Sequence, residues 1–158
     1  MILIISVCKH KLSENEFVKP VYEIIKQKNQ EIMVKHYSEE LPISKADKII
    51  ICGTALEDFE YLENLEKFEF IKTTDKKIFG ICAGMQIIAK IFECELKNDL
   101  KIGQIGNSYY LHSKEVVLNE LFIKDEKGLV KHKEKEIYGV IYHPEVLNTE
   151  LIIDFLKT

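Results

Sequence analysis

The stretch KIFGICAGMQIIA (77–89) centres Cys82 between two glycines, Gly80 and Gly84. The residues before the cysteine read as a buried strand and those after it as a helix, so the thiol falls at a strand-to-helix turn. A G-x-nucleophile-x-G turn lifts its central side chain out of the backbone's path. It needs glycine on both sides because a β-carbon there would strike the adjoining strand or helix. The positive end of the following helix favours thiolate over thiol. The N–H of Ala83 is then free to bond the oxyanion formed when sulfur attacks a carbonyl. Taken alone, the pattern fits a second reading equally: a buried cysteine whose glycines only let a strand and a helix close-pack.

A second motif separates the two readings. IYGVIYHPEV (137–146) is an apolar strand candidate running into His143, Pro144 and Glu145. In extended backbone, residues i and i+2 project to one side, so His143 and Glu145 can share a site, with Pro144 fixing the chain between them. By itself H-P-E is also an ordinary exposed turn. Beside a cysteine at a strand end, it supplies what a weak nucleophile requires, a base oriented by a third group.

Elements that place these groups can be read along the chain. ILIISV (2–7), EIMVKHY (31–37), DKIIICG (47–53) and KKIFGIC (76–82) are strand candidates, apolar almost throughout. ENEFVKPVYEIIKQK (14–28), LEDFEYLENLEKFEFI (56–71) and AGMQIIAKIF (83–92) show helical spacing, the first with Ser13 as N-cap and a bend or late start at Pro20. On the second of these, Leu62, Leu65 and Phe68 share a side. Beyond residue 92 come short β-like pieces near 93–97, 108–118 and 128–132, then 136–143, and a closing helix near 147–157. A β-α-β-α rhythm with fully apolar strands predicts an α/β fold, an open and mostly parallel sheet with helices on both faces. Ligands of such sheets gather at the carboxyl ends of the strands, where Cys82 stands.

Totals narrow the classes. A chain of 158 residues with 46% hydrophobic content reads as a single domain, 1–158. Its net charge of −4 argues against a nucleic-acid binder, and without arginine the chain offers no guanidinium fork for bidentate capture of phosphate or carboxylate. MILIISV lacks a basic residue before it and is too short to span a bilayer, so no membrane partner is expected. Cys8, Cys52, Cys82 and Cys94 have no metal-ligand spacing, which predicts no metal or disulfide and a reduced, cytoplasmic setting. His10, His36 and His132 stand among polar residues and are expected to face solvent. Gly103 and Gly106 are read as turn residues.

GICAGMQ (80–86) followed by YGVIYHPE (138–145) resembles the two signature blocks of class I glutamine amidotransferases of the Cys-His-Glu type. LHSKEV (111–116) is similar to that family's His-Ser segment. The tail IYGVIYHPEVLNTE resembles the glutaminase subunit of GMP synthetase, one member of the family. The resemblance covers nearly the whole chain and implies a flavodoxin-like sheet. It implies Cys82 as nucleophile, His143 as general base and acid, and Glu145 as the group orienting His143. It also implies Gly53 and Ala83 as backbone oxyanion donors, and Gln86, Ser113 and His112 around the substrate glutamine. No cofactor is implied. Ammonia would pass to a separate synthetase, since the chain has no P-loop pattern. One stretch departs from the family: its Gly-Gly-Pro-Gly-like loop is replaced here by CGTALED (52–58), which keeps only Gly53. Two other readings stay open, a stand-alone Cys-His hydrolase of γ-glutamyl or small amides and a catalytically weak regulatory relative.

Overall fold

The computed structural model describes all 158 residues. Strands β1 (Ile2–Ser6), β2 (Ile32–His36), β3 (Lys48–Ile51), β4 (Lys77–Ile81) and β9 (Ile137–Val140) are parallel neighbours in the order β2-β1-β3-β4-β9. Two short antiparallel strands, β8 (Val130–His132) and β7 (Phe122–Lys124), extend the sheet beyond β9. The expected open, mostly parallel α/β sheet is present.

Strands of this sheet are apolar on both faces because both are covered. Leu3, Ile5, Ile49, Ile51 and Ile78 point to one face, against Phe68, Ile71 and the helix α4 (Ala83–Ile91). Ile2, Ile4, Ile50, Phe79, Ile81 and Val140 point to the other. There they meet α1 (Glu14–Phe17), α2 (Lys19–Lys26) and the closing helix α6 (Thr149–Lys157). Fully burying one such side chain contributes roughly 1.5–3 kcal/mol. No helix is long and apolar enough to cross a membrane.

Several local expectations need correction. Residues 56–71 do not form one α-helix. They make a chain of 3₁₀ turns, Glu60–Phe68, broken at Asn64 (φ −128°, ψ 36°), then a single α-turn, α3 (Phe70–Thr73). Asn64 Nδ2 donates to the Glu60 carbonyl at 2.9 Å, the local side-chain competition that interrupts helices. The first helix breaks at Val18, and Pro20 sits in the first turn of α2, where its missing N–H costs nothing. Ser13 precedes α1 but makes no capping bond.

The pieces near 93–97 and 108–118 are parts of one antiparallel ribbon, β5 (Glu95–Ile105) and β6 (Ser108–Val117), separate from the main sheet. A two-residue loop joins them, with Gly106 at φ +60° as a tight hairpin requires. His132 is buried, contrary to expectation, with its ring 4.7 Å from Phe92 and 5.1 Å from Phe122, and its Nδ1 accepts backbone N–H groups. Burial pushes its pKa down, which keeps it neutral and suited to that aromatic slot.

The connection from β4 into α4 leaves no room for a side chain at either flanking glycine. A Cβ on Gly84 would stand 2.1 Å from the Ile51 carbonyl oxygen, and one on Gly80 would stand 2.7 Å from the Gly84 backbone. Gly84→Ala is therefore expected to lower stability by about 3 kcal/mol or more, read from urea denaturation. A variant as stable as the parent would show that helix and strand are not pressed together here.

Candidate active site

β3, β4 and β9 lie side by side and end on the same edge of the sheet, and each delivers one part of the site. β4 delivers Cys82, β3 delivers Gly53, and the chain beyond β9 delivers His143 just before α5 (Pro144–Leu147).

Cys82 has φ +50° and ψ −101°, a backbone strain worth about 1–3 kcal/mol that surrounding structure must hold in place. Its N–H donates to Val140 O at 2.8 Å, and its carbonyl accepts from Gln86 N at 3.0 Å. Sheet and helix thus both grip the residue, while the thiol donates to Leu111 O at 3.6 Å. Ala83 opens α4, so its N–H has no acceptor within the helix.

His143 and Glu145 meet, though not by the extended geometry expected. β9 stops at Val140, His143 precedes the first turn of α5, and Glu145 lies within that turn. Nδ1 of His143 and Oε1 of Glu145 are 2.8 Å apart, with both side chains buried. The His143 N–H donates to Tyr109 O at 2.8 Å, and Phe17 flanks the ring. Nε2 has no hydrogen-bond partner. Burial alone would lower the His143 pKa, but the neighbouring Cys82 and Glu145 outweigh it and hold it well above the ordinary histidine value.

Gly53 joins these parts. A Cβ there would come within 2.7 Å of His143 Cε1 and 3.4 Å of Cys82 Cβ, so Gly53 presses directly against both residues. Its N–H donates to no protein acceptor. The structure therefore brings Cys82, His143, Glu145, Gly53 and Ala83 together: a thiol, a carboxylate-oriented imidazole and two free backbone donors. That set can carry out nucleophilic acyl transfer.

The three residues read as substrate neighbours divide. Gln86, Ser113 and His112 all line a cavity of about 10 Å³ next to Cys82. Gln86 is already bonded at both ends, accepting from the Tyr61 hydroxyl and donating to Lys114 O at 2.9 Å. It ties α4 to β6, with one amide N–H left unpaired on the cavity side. His112 is buried with neither ring nitrogen hydrogen-bonded, and burial lowers its pKa. Tyr61 is a site residue that sequence reasoning missed, although its i, i+4, i+7 spacing puts it on the side of Leu65 and Phe68; burial pushes its phenol pKa up so that it stays a donor. Tyr109 was missed too, because it acts through its backbone carbonyl, to which side-chain identity gives no clue.

The His143–Glu145 pair carries a pH signature. A histidine pKa raised by folding adds stability fully below the unfolded value near 6.5, lost as pH rises through the folded value. In Glu145→Gln the His143 ring, followed by NMR, should titrate at lower pH. The stability lost should be larger at pH 6 than above the parent's folded pKa. A ring titration that Glu145→Gln leaves unmoved would refute the pairing.

The family model for glutamine amidotransferase class-I matches residues 11–129. The chain is 32% identical over 118 residues to a glutamine-hydrolyzing GMP synthase subunit of Methanococcus aeolicus, covering 51% of this chain and 56% of that one. It therefore spans little more than half the length of that relative. It is 27% identical over 157 residues to an imidazole glycerol phosphate synthase subunit, HisH 2, of Campylobacter jejuni, covering 73% and 80% of the two chains. Among solved structures, a protein of Thermoplasma acidophilum assigned as a GMP synthase subunit superposes with a TM-score of 0.76 at 19% identity. That match covers 99% of this chain and 91% of the other. A glutamine amidotransferase of Thermotoga maritima superposes with a TM-score of 0.66 at 16% identity, covering 91% and 76%. At these identities the structural matches speak for the fold.

Proposed function

The chain belongs to the class-I glutamine amidotransferase family, and from that premise we propose that it hydrolyses glutamine to glutamate and ammonia through a thioester on Cys82. The buried His143–Glu145 pair beside a strained strand-end cysteine is the observation that carries this reading.

The geometry supports the following course. Glu145 accepts from Nδ1–H of His143 and fixes the tautomer, leaving Nε2 to take the Cys82 proton. The thiolate attacks the carboxamide carbon of glutamine, and the developing oxyanion turns to the Gly53 and Ala83 N–H groups. As the tetrahedral species collapses, the C–N bond breaks, His143 returns its proton to nitrogen, and ammonia leaves a γ-glutamyl thioester. His143 then deprotonates a water that attacks the thioester, releasing glutamate and restoring the thiol. Ser113 and His112, on the cavity wall, would meet the amino-acid end of the substrate.

We further propose that the ammonia is consumed by a synthetase on a separate polypeptide. Two relatives are named as subunits of synthases. The resting cavity of about 10 Å³ holds about one water at most, far too little for glutamine. β6, part of a ribbon separate from the main sheet, would move away from the opposite wall before turnover. A partner that binds the separated state better than the closed one would activate the site by that difference in affinity.

A glutamine-analogue chloroketone should add one covalent equivalent, mapped to Cys82 by peptide mass spectrometry. Cys82→Ala should lose both the adduct and glutamine hydrolysis, the latter by roughly 10³-fold or more. Adding the synthetase from the source cell should raise hydrolysis sharply. Brisk turnover indifferent to any synthetase would point instead to a stand-alone amide hydrolase, and a chain that takes up no label at Cys82 would be a regulatory relative.

A further inference from the structure

The loop after β3, CGTALED (52–58), keeps one glycine and no proline, yet it must hold Gly53 against Cys82 and His143. Backbone bonding does little to hold it: between Gly53 and Phe59 there is one such bond, from Asp58 N to Ala55 O at 3.1 Å. The Cys8 thiol donates to Gly53 O at 3.8 Å, and a single carboxylate supplies the remaining side-chain bonds. Asp58, only 8% exposed, accepts from the Thr54 hydroxyl and from Lys9 N–H, both at 2.7 Å on Oδ2. Its Oδ1 accepts from Glu60 N at 3.3 Å.

These contacts bridge three chain segments. Lys9 follows β1, Thr54 is the residue after Gly53, and Glu60 begins the 3₁₀ turns. Hydrogen bonds to a carboxylate are stronger than those between neutral groups. Releasing Asp58 would therefore loosen the chain immediately after Gly53.

We propose that Asp58, acting through Thr54, is a positioning residue that fixes the Gly53 peptide as an oxyanion donor in place of a glycine-proline loop. This deepens the reading of Cys82 as the nucleophile and rests on it. Asp58 makes no hydrogen bond to the thiol or the imidazole, so its effect should appear only where the donor matters.

The test compares Thr54→Val, which removes the hydroxyl and keeps the shape, with Thr54→Ser, which keeps the hydroxyl, and with Asp58→Asn. Thr54→Val and Asp58→Asn should lower kcat for glutamine about 10-fold or more, with KM within about twofold, since donor placement acts in the transition state. Thr54→Ser should recover most of that loss. Iodoacetamide should alkylate Cys82 at the parental rate in all three, because alkylation forms no oxyanion. Backbone hydrogen exchange at residues 53–56, which needs no substrate, should quicken in Thr54→Val and Asp58→Asn and not in Thr54→Ser. An unchanged kcat, an unchanged exchange rate, or a matching fall in alkylation would overturn the proposal. If the parent hydrolyses no glutamine, the glutaminase reading fails, and the exchange experiment still decides whether Asp58 pins the loop.

Discussion

The first turn of α4 lies so near the sheet that the Ile51 carbonyl occupies the space where a side chain on Gly84 would stand. This close approach forces the chain to reverse within one residue between β4 and α4, and Cys82 takes the left-handed φ that results. Alone, such a residue would relax. Here its N–H is held by β9, its carbonyl lies in the first helical turn, and isoleucines pack the sheet on both sides. Strain of a few kcal/mol persists only when surrounding structure over-determines it, and this packing supplies that constraint.

A second constraint is electrostatic. Ion pairs on this surface, such as Lys35 with Glu39, stand in water and contribute little. His143 and Glu145 are buried, so each depends on the other: removing either would leave a charge or an unmatched polar group without water. The second carboxylate oxygen of Glu145 already has no partner, so its hold on His143 is the main return for burying it. Such a pair keeps the ring orientation fixed while leaving Nε2 free.

The strand-to-helix turn at Cys82 and the parallel sheet were legible in the sequence for physical reasons. Gly80, Cys82 and Gly84 satisfy a steric demand that few other residues meet, and strands buried on two faces must be apolar at every position. His143 and Glu145 were found for a partly mistaken reason: two residues of separation brings them together in a helical first turn as well as in a strand. The 56–71 segment misled because its apolar spacing is helical, while Asn64 finds a carbonyl four residues back and breaks the run. His132 misled because neighbours in sequence are polar and neighbours in space are Phe92 and Phe122. What stayed hidden acts through the main chain or across long separations: the Tyr109 carbonyl, the Tyr61–Gln86 bond, and the reach of Asp58 to Lys9.

The cavity wall next to Cys82 has a composition of its own. Threonine, alanine, leucine, phenylalanine, tyrosine, glutamine, serine and a neutral histidine line it with the cysteine, and no lysine, aspartate or glutamate does. A small polar molecule admitted there would meet peptide dipoles and hydroxyls in place of formal counter-charges. Dipoles fixed in a water-poor recess are hardly screened by dissolved ions, whereas surface charges lose most of their reach within about 8–10 Å at ordinary ionic strength. Affinity for the small molecule would then be nearly indifferent to salt, and any ionic-strength dependence of the complete reaction would originate at the lysine- and glutamate-rich exterior.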